Sequence, residues 1–280
     1  MKVLPFKIPK PELNAVVFQE DKDDLFYNKL HQHEEIQISL IVKGEGSLIV
    51  GDTVNYYKTD DIFIIGSHLP HVFMSDAVAS KKSHMLTVFF SKSSFGTSFF
   101  ELIELKDVSA FFKRSQFGFK LVSKKKIASS LICDLENASH FEKLIILLQL
   151  LKTATGARYT PLSSFVYGKA YSDDEGERMR NVFEYTMTHF HTQITLQNIA
   201  EVANMTKNAF CKYFKKRTNK TYVQFLNELR IEHASQLLIK NLEQPIAEIS
   251  ELSGFNNLSN FNRQFKNIKG YSPSLTRKRS

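Results

Sequence analysis

Asn208, Cys211 and Lys212 lie within five residues of one another, and Ser259, Asn260, Asn262 and Arg263 within another five, all in the last third of a 280-residue chain. The chemistry these side chains share is hydrogen bonding to flat, heteroatom-rich edges rather than bond-making. An Asn amide pairs bidentately with adenine, an Arg or Lys donates to guanine, and a small thiol leaves room for a thymine methyl. Nothing in the sequence competes as a catalytic device. No nucleophile has a base in a supported frame, no Gly-rich loop is built to cradle a phosphate, and no carboxylate pair stands at a defined spacing.

Such groups read a duplex only when a rigid element holds them outward, and the elements here repeat. Residues 196–214, LQNIAEVANMTKNAFCKYF, match residues 246–265, IAEISELSGFNNLSNFNRQF. Ile199 and Ile249, Val202 and Leu252, and Met205 and Phe255 are fifty apart, whereas Phe210 and Phe261, and Phe214 and Phe265, are fifty-one apart. One residue is therefore inserted after the turn. Each copy reads as a short apolar-periodic helix, a turn, and a second helix with aromatics at i and i+4, the layout of a helix-turn-helix.

In the first copy Thr206 is a natural N-cap, and Phe210 and Phe214 point to the core. Asn208, Cys211 and Lys212 then face outward, flanked by Lys207 and by Lys215, which is placed to meet phosphate. In the second copy Phe255, Phe261 and Phe265 are core, and Asn257, Leu258, Ser259, Asn260, Asn262 and Arg263 surround the exposed face. Arg263 is the strongest candidate for guanine. A long helix from Thr221 to Ile239 joins the copies and is expected to set their reading helices one duplex turn apart, about 34 Å.

Charge is distributed accordingly. Residues 174–280 hold 16 Lys and Arg against 10 Asp and Glu, a net of +6, whereas residues 1–173 hold 21 against 19, a net of +2. Lys207, Lys212, Lys215, Lys216, Arg217 and Lys220 follow Thr206 with no acid among them, and no acid follows Glu251. One-signed surface of this kind neutralises phosphates.

The length suggests two domains. Two cysteines, Cys133 and Cys211, lack metal-ligand spacing and fit a reducing compartment. The N-terminal MKVLPFKIPKPEL has no apolar core of a secretory signal, and the longest apolar run, Leu144–Leu151, is broken by Gln149 and too short to span a bilayer. Residues 14–90 read as β-structure. Ile36–Val42 and Ser47–Val50 flank Gly44-Glu45-Gly46, a hairpin signal; Ile62–Ile65 and Met85–Phe90 are further strands. Residues 97–153 turn helical, with Phe141, Leu144, Ile145, Leu148 and Leu151 on one stripe and Ile146, Leu147 and Leu150 outside it. That helix needs two neighbours, from its own domain or from a second copy of the chain.

The C-terminal residues resemble the AraC/XylS family of bacterial transcription regulators. The resemblance rests on Ile199-Ala200, Phe214-Lys215-Lys216, Leu229-Arg230, Ala234 and Leu237-Leu238, then on Ile249, Gly254-Phe255, Phe261, Arg263, Phe265-Lys266, Gly270 and Ser272-Pro273. Asn219 stands where the family often has Gly, and Thr276 where it usually has Tyr, so the last helix is expected to pack less firmly. The first half is similar to that family's cupin-type sensor, on His31-Gln32-His33, Gly44-Glu45-Gly46, Gly51-Asp52, Asp60-Asp61 and Pro70-His71.

The resemblance implies a two-domain α+β chain. Residues 1–153 would form a cupin-like β-barrel with flanking helices, 154–173 a linker, and 174–280 an all-α DNA-binding domain with two helix-turn-helix units. It implies a cytoplasmic, homodimeric, sequence-specific regulator that binds double-stranded DNA, meets RNA polymerase if it activates, and makes no membrane contact. A sugar or other small polar metabolite would act as effector in the barrel, near His33, Gln37 and His71, with no cofactor and no catalysis. Metal-binding cupins place two His, a Glu and a later His around one ion. Here Gln37 stands near the place of that Glu, and Glu34 and Glu35 are too close to His33, so His31, His33 and His71 are expected to be metal-free. Two other readings stay open. One is a constitutive regulator whose first domain only dimerises; the other is a metal-dependent cupin enzyme carrying a DNA-binding tail.

Overall fold

Alternating apolar residues build the first half of the chain in layers. The computed structural model describes residues 14–76, 82–166 and 173–279, and the chain divides into two units, Met1–Asp173 and Asp174–Ser280. In the first unit seven strands follow one another: β1 (Val16–Asp23), β2 (Ile36–Lys43), β3 (Gly46–Val50), β4 (Thr53–Tyr57), β5 (Ile62–Ile65), β6 (His71–Ser75) and β7 (Ser83–Phe90). Two 3₁₀ turns (Phe99–Glu101 and Ile103–Val108) lead into α1 (Ser109–Ser115), β8 (Phe119–Leu121), α2 (Lys125–Asp134), α3 (His140–Thr155) and β9 (Tyr159–Pro161).

The strands form two sheets, ordered β1-β7-β2-β5-β8-β9 and β4-β3-β6. The period of two in β2 explains the layering. Ile36, Ile38 and Leu40 join a core shared with α1, α2 and α3, whereas Ile41 joins Leu48, Val50, Tyr57, Phe63 and Phe73 in the core between the sheets. Gln37 and Ser39 are buried on that second face too. The hairpin expected around Gly44-Glu45-Gly46 does not form. β2 pairs with β5 and β7, and β3 with β4 and β6. Gly44, at φ +116, turns the chain out of one ladder and into the other. Among the described residues the sheets do not close on each other as a barrel.

Two further expectations are corrected here. On α3 the buried face is Leu147, Leu150, Leu151 and Ala154, while Phe141 is 70% exposed and Ile145 41%. α3 finds its neighbours inside the unit, packing against α2, α1, β1 and the second 3₁₀ turn, and of the stripe beginning at Phe141 only the C-terminal Leu151 is fully buried. Residues 154–166, read as the start of a linker, are built into the first unit. β9 pairs with β8, and Leu162 is buried between the sheets. The buried Asp52 carboxylate accepts hydrogen bonds from the Ser163 hydroxyl (2.6 Å), the Ser164 amide (3.0 Å) and the Ser164 hydroxyl. Polar composition hid these bonds because hydroxyls, not apolar side chains, fasten the segment. Of the expected linker, residues 167–172 lie outside the described residues.

The second unit is all helix: α4 (Asp173–His189), α5 (Leu196–Val202), α6 (Lys207–Thr218), α7 (Tyr222–Lys240), α8 (Ile246–Leu252), α9 (Leu258–Lys269) and α10 (Pro273–Arg279). α7 is the shared spine. At 19 residues it spans about 28 Å. Its N-terminal Tyr222 and Phe225 pack on Phe214, at ring-centroid distances of 5.4 and 5.8 Å. Its later Ile231, Ala234 and Leu238 join Ile249, Phe255, Phe261 and Phe265 in a separate core. Thr276 is buried, and α10 packs against α7 and α9 despite lacking an aromatic there.

Candidate functional site

The two turn-and-helix segments superpose in their local chemistry. Thr206 caps α6 by accepting from the Ala209 amide, and Asn257 caps α9 by accepting from the Asn260 amide. The turn before each cap holds one left-handed residue, Asn204 (φ 52) and Gly254 (φ 83), fifty apart. α6 and α9 then each end on another, Asn219 (φ 56) and Gly270 (φ 81), fifty-one apart. Asn tolerates this conformation where a β-branched residue does not. The Gly254 position is stricter: a Cβ there would stand 2.4 Å from the Phe190 carbonyl oxygen. Arg230 holds that carbonyl, donating to Phe190 O and Thr192 O at 2.7 Å each. Sequence reading gave Arg230 no role.

Phe210, Phe214, Phe261 and Phe265 are fully buried, so each helix has one face fixed inward and the opposite face set by the 3.6-residue period. On α6, Lys207, Asn208, Lys212 and Lys215 are exposed and Cys211 is half-buried; on the second unit Asn257, Leu258, Ser259, Asn262 and Arg263 are exposed and Asn260 is half-buried. These side chains are thus exposed or half-buried, opposite the buried phenylalanines. Two of the candidates, Thr206 and Asn257, commit side-chain oxygens to capping, which fixes where each helix begins.

The basic residues divide into two kinds. Arg217 pairs with Glu175, Lys220 with Glu228 at 2.7 Å, and Lys269 with Glu232 at 2.5 Å. These cations are spent inside the unit. Lys207, Lys212, Lys215, Lys216 and Lys266 have no carboxylate partner within 4.0 Å among the described residues. The charge run is thus sorted into internal braces and a surface field, a division that sequence cannot make.

In the first unit His31, His33 and His71 converge. Their backbones are tied: His31 and His71 exchange amide-to-carbonyl bonds of 3.1 and 2.9 Å, and the His68 amide donates to His33 O at 2.7 Å. Ring centroids are 4.3 Å apart for His31 and His71 and 5.1 Å for His33 and His71. The Gln37 side chain lies between, with Oε1 3.2 Å from His33 Nε2 and 3.0 Å from His71 Nε2. Its amide nitrogen donates to Ser39 Oγ at 2.8 Å, and Ser39 bonds Thr87 at 3.0 Å. Burial holds His33 below the ordinary imidazole range and His71 well below it, so both rings are neutral near pH 7.

A cavity of about 400 Å³ opens beside this cluster. His31 and Gln37 line it, with Asp21, Phe26, Phe73 and Met85, whereas His33 and His71 stand behind that surface. Burial pushes the Asp21 carboxyl up. Asp21 was missed in the sequence because it sits in the polar end of β1, VVFQEDKD, where acids are usually solvated.

Comparison with known proteins places the chain by its second unit. Residues 199–279 match the family described as a helix-turn-helix domain. An uncharacterised HTH-type transcriptional regulator of Bacillus subtilis, YdeC, is 30% identical over 99 residues, 35% of this chain and 34% of its own length. The MmsAB operon regulatory protein of Pseudomonas aeruginosa is 33% identical over 95 residues, 34% of this chain and 31% of its own length. The match thus spans about a third of the length of each curated relative. Among solved structures, the C-terminal domain of AraT, a response regulator from Geobacillus stearothermophilus, is 29% identical over 37% of this chain and 85% of that one, with a TM-score of 0.35. No helix among the described residues is long and apolar enough to cross a membrane.

Proposed function

We propose that the whole protein is a cytoplasmic, sequence-specific regulator of transcription of the AraC/XylS type, a reading supported by its match to the helix-turn-helix domain family over residues 199–279. α6 and α9 enter successive major grooves of double-stranded DNA, and Asn208, Cys211, Lys212, Asn260 and Arg263 meet base edges. Lys207, Lys215 and Lys216 meet phosphate. One observation carries this reading: both helices bury two phenylalanines in the same frame and turn a polar, unpaired basic face to solvent.

The first unit, a cupin-type sensor in this reading, takes a small polar effector into the cavity beside His31 and Gln37. A preformed cavity of a few hundred Å³ is the usual size of such a site, and the polar side chains that line it, among them Gln19, Asp21, His31 and Gln37, suit a polar ligand. The protein acts as a homodimer and contacts RNA polymerase where it activates.

A second reading is favoured by the apolar residues Phe141 and Ile145 exposed on α3. In it the first unit only dimerises, and the regulator is constitutive. Selection of bound sequences from a randomised duplex pool tests the DNA-reading claim. A folded protein that retains no sequence above background at low salt overturns it. Thermal shift with a panel of sugars and small polar metabolites separates the two readings, because a ligand that binds the native state raises the melting temperature.

A further inference from the structure

The sequence set metal aside because Gln37 replaces a carboxylate, but the geometry turns that replacement into a donor. Each ring of the cluster has Nδ1 against a main-chain carbonyl: His31 to Lys29 at 2.8 Å, His33 to Glu35 at 2.9 Å and His71 to Leu69 at 2.8 Å. A carbonyl oxygen only accepts, so Nδ1 carries the proton of each neutral ring, and Nε2 presents its lone pair. A backbone carbonyl behind each imidazole is also how metal-ligating histidines are held and made more basic.

The Nε2 atoms of His33 and His71 both face Gln37 Oε1, at 3.2 and 3.0 Å. Three lone pairs aimed at one another repel unless positive charge lies among them. Ligands held 2.0–2.1 Å from a tetrahedral ion stand about 3.3 Å apart, close to these separations. One ligand atom from each histidine lies within 4.8 Å of the others. His31 is the half-buried member of the three.

We infer that His31, His33, His71 and Gln37 form a binding site for one divalent transition-metal ion, with three imidazole nitrogens and one amide oxygen as donors. Imidazole-rich sets suit Zn²⁺, Ni²⁺, Co²⁺ or Fe²⁺ rather than Mg²⁺ or Ca²⁺. All four ligands are neutral, so the bound ion keeps its full charge. A further ligand from the adjoining cavity is therefore an anionic oxygen donor such as hydroxide or a carboxylate. Turning the Gln37 amide over satisfies the same atoms without an ion, and that arrangement is the rival. The proposal does not depend on the regulatory reading, because metal uptake is read without DNA.

The experiment uses the full-length, tag-free chain, stripped with a chelator and titrated with Zn²⁺ by calorimetry and with Co²⁺ by visible absorption. One ion per chain is expected, with Co²⁺ giving the ligand-field bands of a low-coordinate nitrogen-rich site. His71→Ala and Gln37→Ala should each weaken binding by about 100-fold, since losing even an outer-shell partner costs 10–100-fold. Gln37→Glu, which keeps the shape and adds a negative charge, should bind at least as tightly as the native chain. His84→Ala and His140→Ala should leave binding unchanged. Absence of stoichiometric uptake by the native chain, or uptake untouched by both His71→Ala and Gln37→Ala, overturns the site. So does a Gln37→Glu chain that is folded by circular dichroism yet binds no ion.

Discussion

Arg263 donates through Nη2 to Oδ1 of Asn260 at 2.9 Å, across one turn of α9. The bond ties together the two side chains of the second unit best suited to base edges. A guanidinium held by a neighbour arrives in the groove with fewer rotamers to lose. The Asn260 oxygen that holds it is also an atom the amide would use on a base, so in the proposed DNA-reading role the two side chains would act together.

Arg263→Ala is expected to relax preference at one base pair of the second half-site, with a loss of about 1–3 kcal/mol of discrimination. Asn260→Ala should relax the same position, and the double variant should lose less than the sum of the two, as coupled neighbours do. Asn208→Ala should alter only the other half-site. Randomised-site selection on each variant checks this. Arg263→Ala and Asn208→Ala shifting the same base pair would show that the two faces are misassigned.

Salt dependence separates the two kinds of lysine. Lys215→Ala should weaken binding to all duplexes alike and lower the slope of log affinity against log salt by about one. Lys220→Ala, whose ammonium is engaged with Glu228, should leave that slope unchanged. Fluorescence anisotropy at several salt concentrations reads both.

Gly254→Ala should unfold the second unit far more readily than Gly270→Ala, whose added Cβ would meet nothing within 4 Å. Both put a Cβ residue in the left-handed region, which costs roughly 1–2 kcal/mol. Only Gly254 adds a Cβ 2.4 Å from the Phe190 oxygen. Urea denaturation of residues 174–280 gives the two midpoints, and equal midpoints would remove the packing argument.

The fragment 174–280 should fold alone, because its two cores draw on its own helices. It should bind DNA more weakly than the full chain if the first unit dimerises, since linked readers gain effective concentration. Equal affinities at matched salt count against a dimeric regulator, and a folded fragment without DNA affinity counts against the assignment itself.

The second unit was legible in the sequence because its contacts are local. Phe210 and Phe214 share a face by helical period alone, and Thr206 caps from three residues away. The first unit was legible in its strands but not in their partners. Whether Ser47–Val50 pairs with β2 or β6 depends on one dihedral at Gly44, which composition does not report. On α3 apolar residues surround the helix, so the sequence does not tell which side is buried. Gln37 was read as a missing carboxylate, because an amide oxygen gains its role only from the nitrogens placed around it.

Ser163 and Ser164 are both fastened to one carboxylate, that of Asp52. A strand ladder frays one bond at a time, whereas bonds that converge on a single group are lost together. Asp52 follows Gly51, whose amide donates to the Pro70 carbonyl at 2.8 Å, and Pro70 precedes His71. Loss of that one carboxylate would therefore loosen Ser163 and Ser164 together, so the C-terminal edge of the first unit's fold hangs on a single buried charge rather than on a graded surface.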